Sequence, residues 1–403
     1  MLRLNLWLIL GATIPSMLVC WAAAWPLRRY GPHLRLVDRP GQRKIHTAAM
    51  PTGGGLAIWL GIVLPFALGQ LVLWILLSEG GRAGDLIGLP DFIARHLPGL
   101  MHQSQRLWIL LAGGTVLMLL GLIDDRFGLD WRIRLFVQTV VAVVLVRSGW
   151  RLSLFLEGVP STDTPGIVWL VLLVELLIDA LSMLWIVGLV NSFNMLDNMD
   201  GLSAGVAAIA AAMLAAVMLL TPDPLTREPQ LFVAGLLLVV LGSLLGFLWH
   251  NRPPARLFMG DAGSYLVGYL LAMATLTATF AFGGVPRHAI LAPLCVLAVP
   301  LYDTLSVVLI RLRSGRSPFV GDKSHFSHRL VELGMTPGQA VLTIYLATAT
   351  CGLGALLLHQ VNRAGACIIV LLVGCILLLV AILETAGRRR PHGKQEKEPD
   401  GKT

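Results

Sequence analysis

Two stretches of this chain carry no charged residue over lengths that match a lipid bilayer. Residues 53–77 and 364–383 (AGACIIVLLVGCILLLVAIL) run for twenty-five and twenty positions without Asp, Glu, Lys or Arg. At about 1.5 Å of helical rise per residue, either crosses a hydrocarbon core of about 30 Å. No water is there to bond the backbone, so such a stretch must satisfy its own N–H and C=O groups as a helix. Only 13% of the 403 residues are charged and 56% are hydrophobic, whereas soluble domains average about 25% charged. The chain is therefore expected to be an all-α polytopic integral membrane protein.

Eleven transmembrane helices are expected, near residues 4–26, 53–77, 106–123, 132–148, 166–190, 201–220, 230–249, 261–282, 288–310, 339–358 and 364–384. The fourth is the shortest apolar run and leans on Arg134 and Arg147 reaching toward the interfaces. In the fifth, Glu175 and Asp179 lie four apart on one face and either sit near the outer headgroups or pair inside the bundle. Basic residues set the orientation. With the N-terminus outside and the C-terminus cytoplasmic, 22 of the 31 lysines and arginines fall on the inner side, all five lysines among them. Only Arg3 precedes the first apolar run and six basic residues follow it, which reads as an N-out anchor rather than a cleaved leader. Residues 1–386 form one transmembrane domain, and 387–403 a disordered basic cytoplasmic tail.

The five cysteines (Cys20, Cys295, Cys351, Cys367, Cys375) lie in apolar spans and contain no CxxC. They read as small buried hydrophobes rather than disulfides or metal ligands. The net charge of +8 is spread along inner loops rather than gathered on a soluble domain, so no nucleic-acid partner is expected.

Against this background the polar clusters stand out. The first inner loop holds Asp38-Arg-Pro-Gly-Gln-Arg43-Lys44-Ile-His46, then Pro51-Thr-Gly-Gly-Gly55. Asp124-Asp125 ends the third span. Asn191-Ser-Phe-Asn194-Met-Leu-Asp197-Asn198-Met-Asp200-Gly201 follows the fifth. His250-Asn251 and Arg256-Leu-Phe258-Met-Gly260-Asp261-Ala-Gly-Ser264 join the seventh to the eighth. Asp303 lies in the ninth, and Asp322-Lys-Ser-His325-Phe-Ser327-His328-Arg329 follows it. Charged groups near hydrocarbon cost about 2.5–3.5 kcal/mol each at the membrane centre, so side chains placed there point to function. Every cluster falls on the inner side, although orientation was assigned from Lys and Arg alone. One composite site at the inner membrane face follows.

Taken singly, most of these residues also have a structural reading. Asp124 and Asp125 would diverge by about 100° on a helix and could simply mark its end. Asp261 could be an N-cap for span 8, or a hard oxygen ligand completed by diphosphate and water. Lys44, Arg43 and Arg329 suit phosphates but also satisfy the positive-inside rule. His325 and His328, three apart, fit a helix surface or sugar and phosphate contacts better than a zinc pair.

Taken together, the fragments DRPGQRKIH with PTGGG, LIDD, NSFNMLDNMDGLSAG, FLWHNRPPARLFMGDAGS, PLYD and RSGRSPFVGDKSHFSHRL occur in a recognisable order from about Asp38 to Gln339. In this the chain resembles the polyprenyl-phosphate N-acetylhexosamine-1-phosphate transferases, bacterial inner-membrane enzymes that begin cell-envelope glycans such as those of lipopolysaccharide and teichoic acid. The resemblance implies transfer of a sugar 1-phosphate, GlcNAc-1-phosphate by preference, from a UDP-sugar to undecaprenyl or a similar polyprenyl phosphate. UMP is released, with Mg²⁺ or Mn²⁺ as cofactor, at the cytoplasmic face of a multi-pass protein. By matching positions it implies Asp261 as principal metal ligand with Asn194 as second, and Asp124 and Asp125 as the catalytic acidic pair. Asn191, Asp197, Asp200, Asn251 and Phe258 fall around the nucleotide, and His325, His328 and Arg329 at the sugar-phosphate end; Lys44 joins the substrate-binding residues on its charge, as a helper for the phosphates. A homodimer is implied as well.

The chain departs from the family pattern at three places. Ser327 stands where the middle histidine of His-x-His-His-Arg is usual, Asn198 replaces the first glycine of Asp-Gly-x-Asp-Gly, and Gly128 sits where some members have lysine. These changes bear on sugar specificity and leave Asp261 and the acidic pair intact. Two rival readings remain at this point: a phospho-MurNAc-pentapeptide translocase, and a secondary transporter. Transporters, however, tend to show internal repeats and midplane sites.

Overall fold

The computed structural model describes residues 2–38, 49–78, 97–152, 165–220, 230–278, 287–322 and 324–388. Its helices are α1 (Leu2–Tyr30), α2 (Gly54–Ser78), α3 (Leu97–Phe127), α4 (Trp131–Arg147), α5 (Pro165–Leu196), α6 (Leu202–Leu220) and α7 (Leu231–Asn251). There follow α8 (Gly260–Thr277), α9 (Ala292–Val296), α10 (Ala298–Arg313), α11 (Phe326–Glu332), α12 (Pro337–Leu357) and α13 (Arg363–Arg388). One short antiparallel ladder, β1 (Val37–Asp38) with β2 (Met50–Pro51), pairs Val37 with Pro51 and Asp38 with Met50.

Each of the eleven expected spans overlaps a helix, residues 279–282 of the eighth lying outside the described residues, but among the described residues eight helices are long and apolar enough to cross a membrane, nine if one bent pair counts as a single span. The shortfall has physical reasons. Helix α4 has only 17 residues. Helix α8 carries Asp261, Ser264, Tyr265, Tyr269 and Thr275, and it is buried from Ala262 to Leu276. Protein rather than lipid surrounds it, so it has no need of an apolar outer surface. The ninth expected span is broken by 68° between His288–Val296 and Ala298–Arg313. Pro300, in the first turn of α10, has no N–H to extend the ladder back across the break. Helix α13 continues to Arg388, past the expected boundary at 386, and residues 389–403 lie outside the described residues.

Lipid tails are as apolar as leucine, so helices in a bilayer associate through close packing of small side chains rather than by escape from water. The alanine-rich helix α6 buries Ala204, Ala207, Ala208, Ala210, Ala211 and Ala215, and lies against α7 and α12. Helix α8 packs against α2, α3 and α5, while α1 covers α7 from outside. Trp7, Trp25, Trp74 and Trp169 are exposed on peripheral helices, as lipid-facing side chains should be. Two cysteines depart from the expectation: Cys367 and Cys375 on α13 are exposed, whereas Cys20, Cys295 and Cys351 are buried, and all five are free thiols. Helix α13 presents a broad face to lipid, which accepts a thiol as readily as the interior does. Glu175 and Asp179 pair with Arg151, and Asp179 also with Arg147 at 3.8 Å. These pairs sit at the end of α4 farthest from the polar loops, beside the first half of α5.

Helices α1, α3, α5 and α7 finish where α2, α4, α6 and α8 begin. That shared end of the bundle is where the polar segments meet.

Candidate active site

The N-terminus of α8 organises this end. A helix start leaves backbone N–H groups without partners, and they favour negative charge. Met259, at the cap position of α8, offers no side-chain bond. Two carboxylates from distant segments do the capping. Asp125 accepts from the N–H of Asp261 at 2.9 Å and of Ala262 at 3.3 Å, and Asp197 accepts from the N–H of Gly260. Glycine is needed at two nearby positions. Gly260 has φ +69°, and a Cβ there would also lie 2.4 Å from Asp125 Oδ2. A Cβ at Gly121 would lie 2.4 Å from the backbone of Asp261 and Ala262, so its absence lets α3 bring Asp124 and Asp125 up to α8.

Asp261 itself points elsewhere. Its Oδ1 accepts from Asn194 Nδ2 at 2.6 Å, and the same nitrogen is 3.1 Å from Ser264 Oγ. Arg134 Nη1 lies 3.9 Å from Asp261 Oδ2 and donates to Asp124 Oδ2 at 2.9 Å. Asp124 is nearly closed off: it also accepts from the N–H of Leu129 at 2.7 Å and the hydroxyl of Tyr265 at 3.1 Å. The two acids of the pair therefore do different work, Asp124 bound to Arg134 and Asp125 bound to the start of α8. Four helices, α3, α4, α5 and α8, supply this cluster.

Among the described residues no three His, Cys, Asp or Glu side chains converge to hold a metal alone. The donor set at Asp261 nonetheless fits a hard divalent ion that keeps most of its ligands as water or substrate oxygen. Asp261 offers a carboxylate, and the amide of Asn194 beside it can present oxygen in place of nitrogen.

Next to this cluster, Asp200 accepts from the N–H of Ala255 at 2.9 Å. Asn251 accepts from the N–H of Gly201 at 2.9 Å and donates to Leu257 O at 2.9 Å. These bonds join the loop after α5 to the loop after α7. Phe258 is half-buried, its backbone fixed between Pro51 O and the N–H of Gly54. A cavity of about 280 Å³ lined by Trp249, Arg252, Pro253, Pro254 and Arg256 opens beside this loop. Asn191 faces away, donating to Gln138 Oε1 at 2.7 Å and to Val187 O at 2.8 Å. Lys44, with Arg43 and His46, lies outside the described residues, although the ladder that closes its loop abuts Phe258.

Burial, then Asp125, then Asp200 push the Asp197 carboxyl up to about 7 against the single favourable bond from Gly260.

The third cluster gathers around α10. Asp303 accepts from the N–H of Phe326 at 2.6 Å, and its Oδ2 is 3.0 Å from His325 Nδ1. His328 is half-exposed between buried neighbours, its ring 6.4 Å from that of His325. Arg329 is turned inward. It is 2% exposed, donates to Ser306 Oγ at 2.8 Å and to Ser324 O, and holds its Nε 2.9 Å from Glu384 Oε2 without the alignment of a hydrogen bond. Tyr302 donates to the same Glu384 oxygen at 3.1 Å. The guanidinium expected at the sugar-phosphate end is thus engaged by α13. Upstream, burial opposes ionisation of Asp322, but bonds from Arg311 and Ser324 prevail and hold its carboxyl at about 2.

Known proteins resemble the chain along most of its length. Residues 107–279 match glycosyl transferase family 4. The decaprenyl-phosphate N-acetylglucosaminephosphotransferase of Mycobacterium tuberculosis is 33% identical over 359 residues, 85% of this chain and 80% of that protein. The chain belongs to glycosyl transferase family 4. A protein of the same name from Mycolicibacterium smegmatis is 31% identical over 395 residues, covering 94% of this chain and 89% of the relative. The undecaprenyl-phosphate alpha-N-acetylglucosaminyl 1-phosphate transferase of Escherichia coli O157:H7 is 27% identical over 330 residues, 80% of this chain and 76% of the relative. As a family 4 member the chain is a transferase of multi-pass membrane type. The matched segment takes in Asp124, Asp125, Arg134, Asn194, Asp197 and Asp261 and ends before His325.

Three residues of this family 4 site escape a reading by motif. Arg134 reads as an interface cation, yet its i,i+10 relation to Asp124 across a short turn is the one available hint. Tyr265 is hidden in an apolar run. Glu384 sits at the end of the last apolar span, with no motif near it.

Proposed function

We propose that this protein transfers GlcNAc-1-phosphate from UDP-GlcNAc to a polyprenyl phosphate, releasing UMP, at the cytoplasmic face of a bacterial inner membrane. The observation that carries the reading is the meeting of Asp124, Arg134, Asn194 and Asp261 from four helices at one end of the bundle. A lipid whose tail stays in the bilayer presents its phosphate at such helix ends. The names of the relatives support the sugar and the lipid, and the excess of basic residues at that end supports its orientation.

The reaction brings two anions together, since an acceptor phosphate oxygen must attack the β-phosphorus of the donor in line. Positioning and neutralisation are then the main tasks. A phosphate monoester has a second pKa of about 6, so the acceptor is largely dianionic at neutral pH and needs little help from a base. This agrees with Asp124, whose acceptor sites are filled by Leu129, Arg134 and Tyr265. Arg134, held by Asp124 and 28% exposed, is the fixed cation that receives the acceptor phosphate. Asp261 and Asn194 would hold Mg²⁺, which supplies charge neutralisation on the donor diphosphate. Asn251, Asp200 and Phe258 shape the nucleotide side, and His328 faces the sugar phosphate. Asp125 and Asp197 fix the start of α8, and with it the direction of Asp261.

Purified protein given UDP-GlcNAc should release UMP only when polyprenyl phosphate is present. UMP release independent of the lipid, or vesicle uptake of the nucleotide sugar without UMP, would contradict the reading.

A further inference from the structure

Asn198 and Ser327 replace the glycine and histidine usual in family 4, and the two substitutions touch. Ser327 Oγ donates to Asn198 Oδ1 across 129 residues of chain. Asn198 Nδ2 donates to Met195 O at 2.9 Å, which leaves the amide oxygen turned toward Ser327. Ser327 is 1% exposed, so water does not compete for the bond. A glycine at 198 would have no side-chain acceptor, and an imidazole at 327 would need the volume that the Asn198 side chain fills. Each departure therefore accounts for the other.

The pair lies where it can control the histidine loop. Helix α11 has seven residues, too few to be stable without outside anchors. Asp303 holds its first N–H, and Arg329 holds its last turn to Ser306 and Glu384. These anchors run to α10 and α13. The Ser327 bond runs instead to the loop carrying Asp197 and Asp200. His328 sits between Ser327 and Arg329, so the rotation of this one helical turn sets where its imidazole points.

We propose that Asn198 and Ser327 form a latch that joins the histidine loop to the acidic loop, fixing His328 over the donor and making the pair a positioning and specificity element. This rests on the transferase reading above.

The test is a double-mutant cycle with two readouts. Hydrogen exchange of residues 324–332, measured without substrate, reports the latch itself; KM and kcat for UDP-GlcNAc report its use. One neutral hydrogen bond corresponds to about two- to tenfold. Ser327→Ala and Asn198→Gly should each speed exchange and raise KM by about that factor, with kcat changed less. The double variant should be no worse than the poorer single, and Ser327→Thr, which keeps the hydroxyl, should behave like the parent. Ser327→His should be impaired by crowding against Asn198 and relieved when Asn198→Gly is added. Losses that multiply in the double variant, or exchange unmoved by either single, would overturn the latch while the parent still makes lipid-linked product. Coupled exchange with no product from the parent would overturn the transferase reading, and the positioning role with it.

Discussion

Asp125 accepts the backbone N–H of Asp261 at 2.9 Å, so one acid of the adjacent pair caps the helix that presents the proposed metal ligand. This divides the carboxylates by task. Replacing Asp125 with Ala orphans two N–H groups at a helix start and should lower stability by about 1–2 kcal/mol. Asp261→Asn keeps its own backbone N–H and the cap. It should unfold near the parental temperature yet give under about 1% of parental UMP release, as expected when a group stabilising transferred charge is lost. Thermal unfolding in detergent alongside UMP release separates the two. A stable, inactive Asp125→Ala with an unstable, active Asp261→Asn would reverse the assignment.

Arg134 bridges Asp124 and Asp261. Arg134→Ala should cost about 10²–10³ in kcat, the usual loss for a fixed charge-stabilising donor, and should destabilise the protein because the Asp124 side chain, 3% exposed, loses its cation. Arg134→Lys should retain part of the activity as a point charge without the fork. Adding Asp124→Asn to Arg134→Ala should restore stability but not turnover. Recovery of both would show that Arg134 acts on folding alone.

Asp197 lies between α5 and α6 with its carboxyl raised to about 7, from an ordinary value of 3.8. Between those values the folded state holds a proton that the unfolded state releases, so stability falls as pH rises from about 4 through 7. Asp197→Asn keeps an acceptor for Gly260 but carries no charge at any pH. Its unfolding temperature should decline less than the parent's between pH 5 and 8. Parallel declines would show that Asp197 does not titrate in that window.

The proposed Mg²⁺ site at Asp261 has a sparse donor set, and this sets the metal dependence to expect. One carboxylate and one amide bind a cation weakly without substrate, so EDTA should abolish turnover and excess Mg²⁺ should restore it fully. Asn194→Ala should raise the Mg²⁺ needed for half-maximal rate rather than remove activity. Turnover in EDTA equal to that in Mg²⁺ would remove the cation from the account.

The spans were legible because hydrocarbon enforces about twenty apolar residues wherever a helix faces it. Where a helix faces protein the rule relaxes, which is why α8 falls below the apolarity of a free-standing span and the ninth expected span can break between α9 and α10. That the polar segments gather at one end of the bundle was legible because polar clusters at helix ends have few other reasons to exist. The partners within it were not. The cap of α8 comes from Asp125, 136 positions away, and from Asp197, and no local pattern announces a cap supplied by another helix. In sequence Arg134 resembles any interface cation, and only the fold sets Asp124 beside it. Sequence alone points Arg329 toward substrate, whereas Glu384, placed by the packing of α13, turns it inward. Ser327 and Asn198 were visible only as two separate departures, and their contact is a property of the fold.

In the proposed reaction the β-phosphate travels with the sugar. UDP-GlcNAc labelled with ³H in the sugar and ³²P at the β-phosphorus tests it directly, with polyprenyl phosphate as acceptor. Both isotopes should enter the lipid fraction in their starting ratio while unlabelled UMP is released. Tritium in the lipid with ³²P left behind on UDP would contradict it.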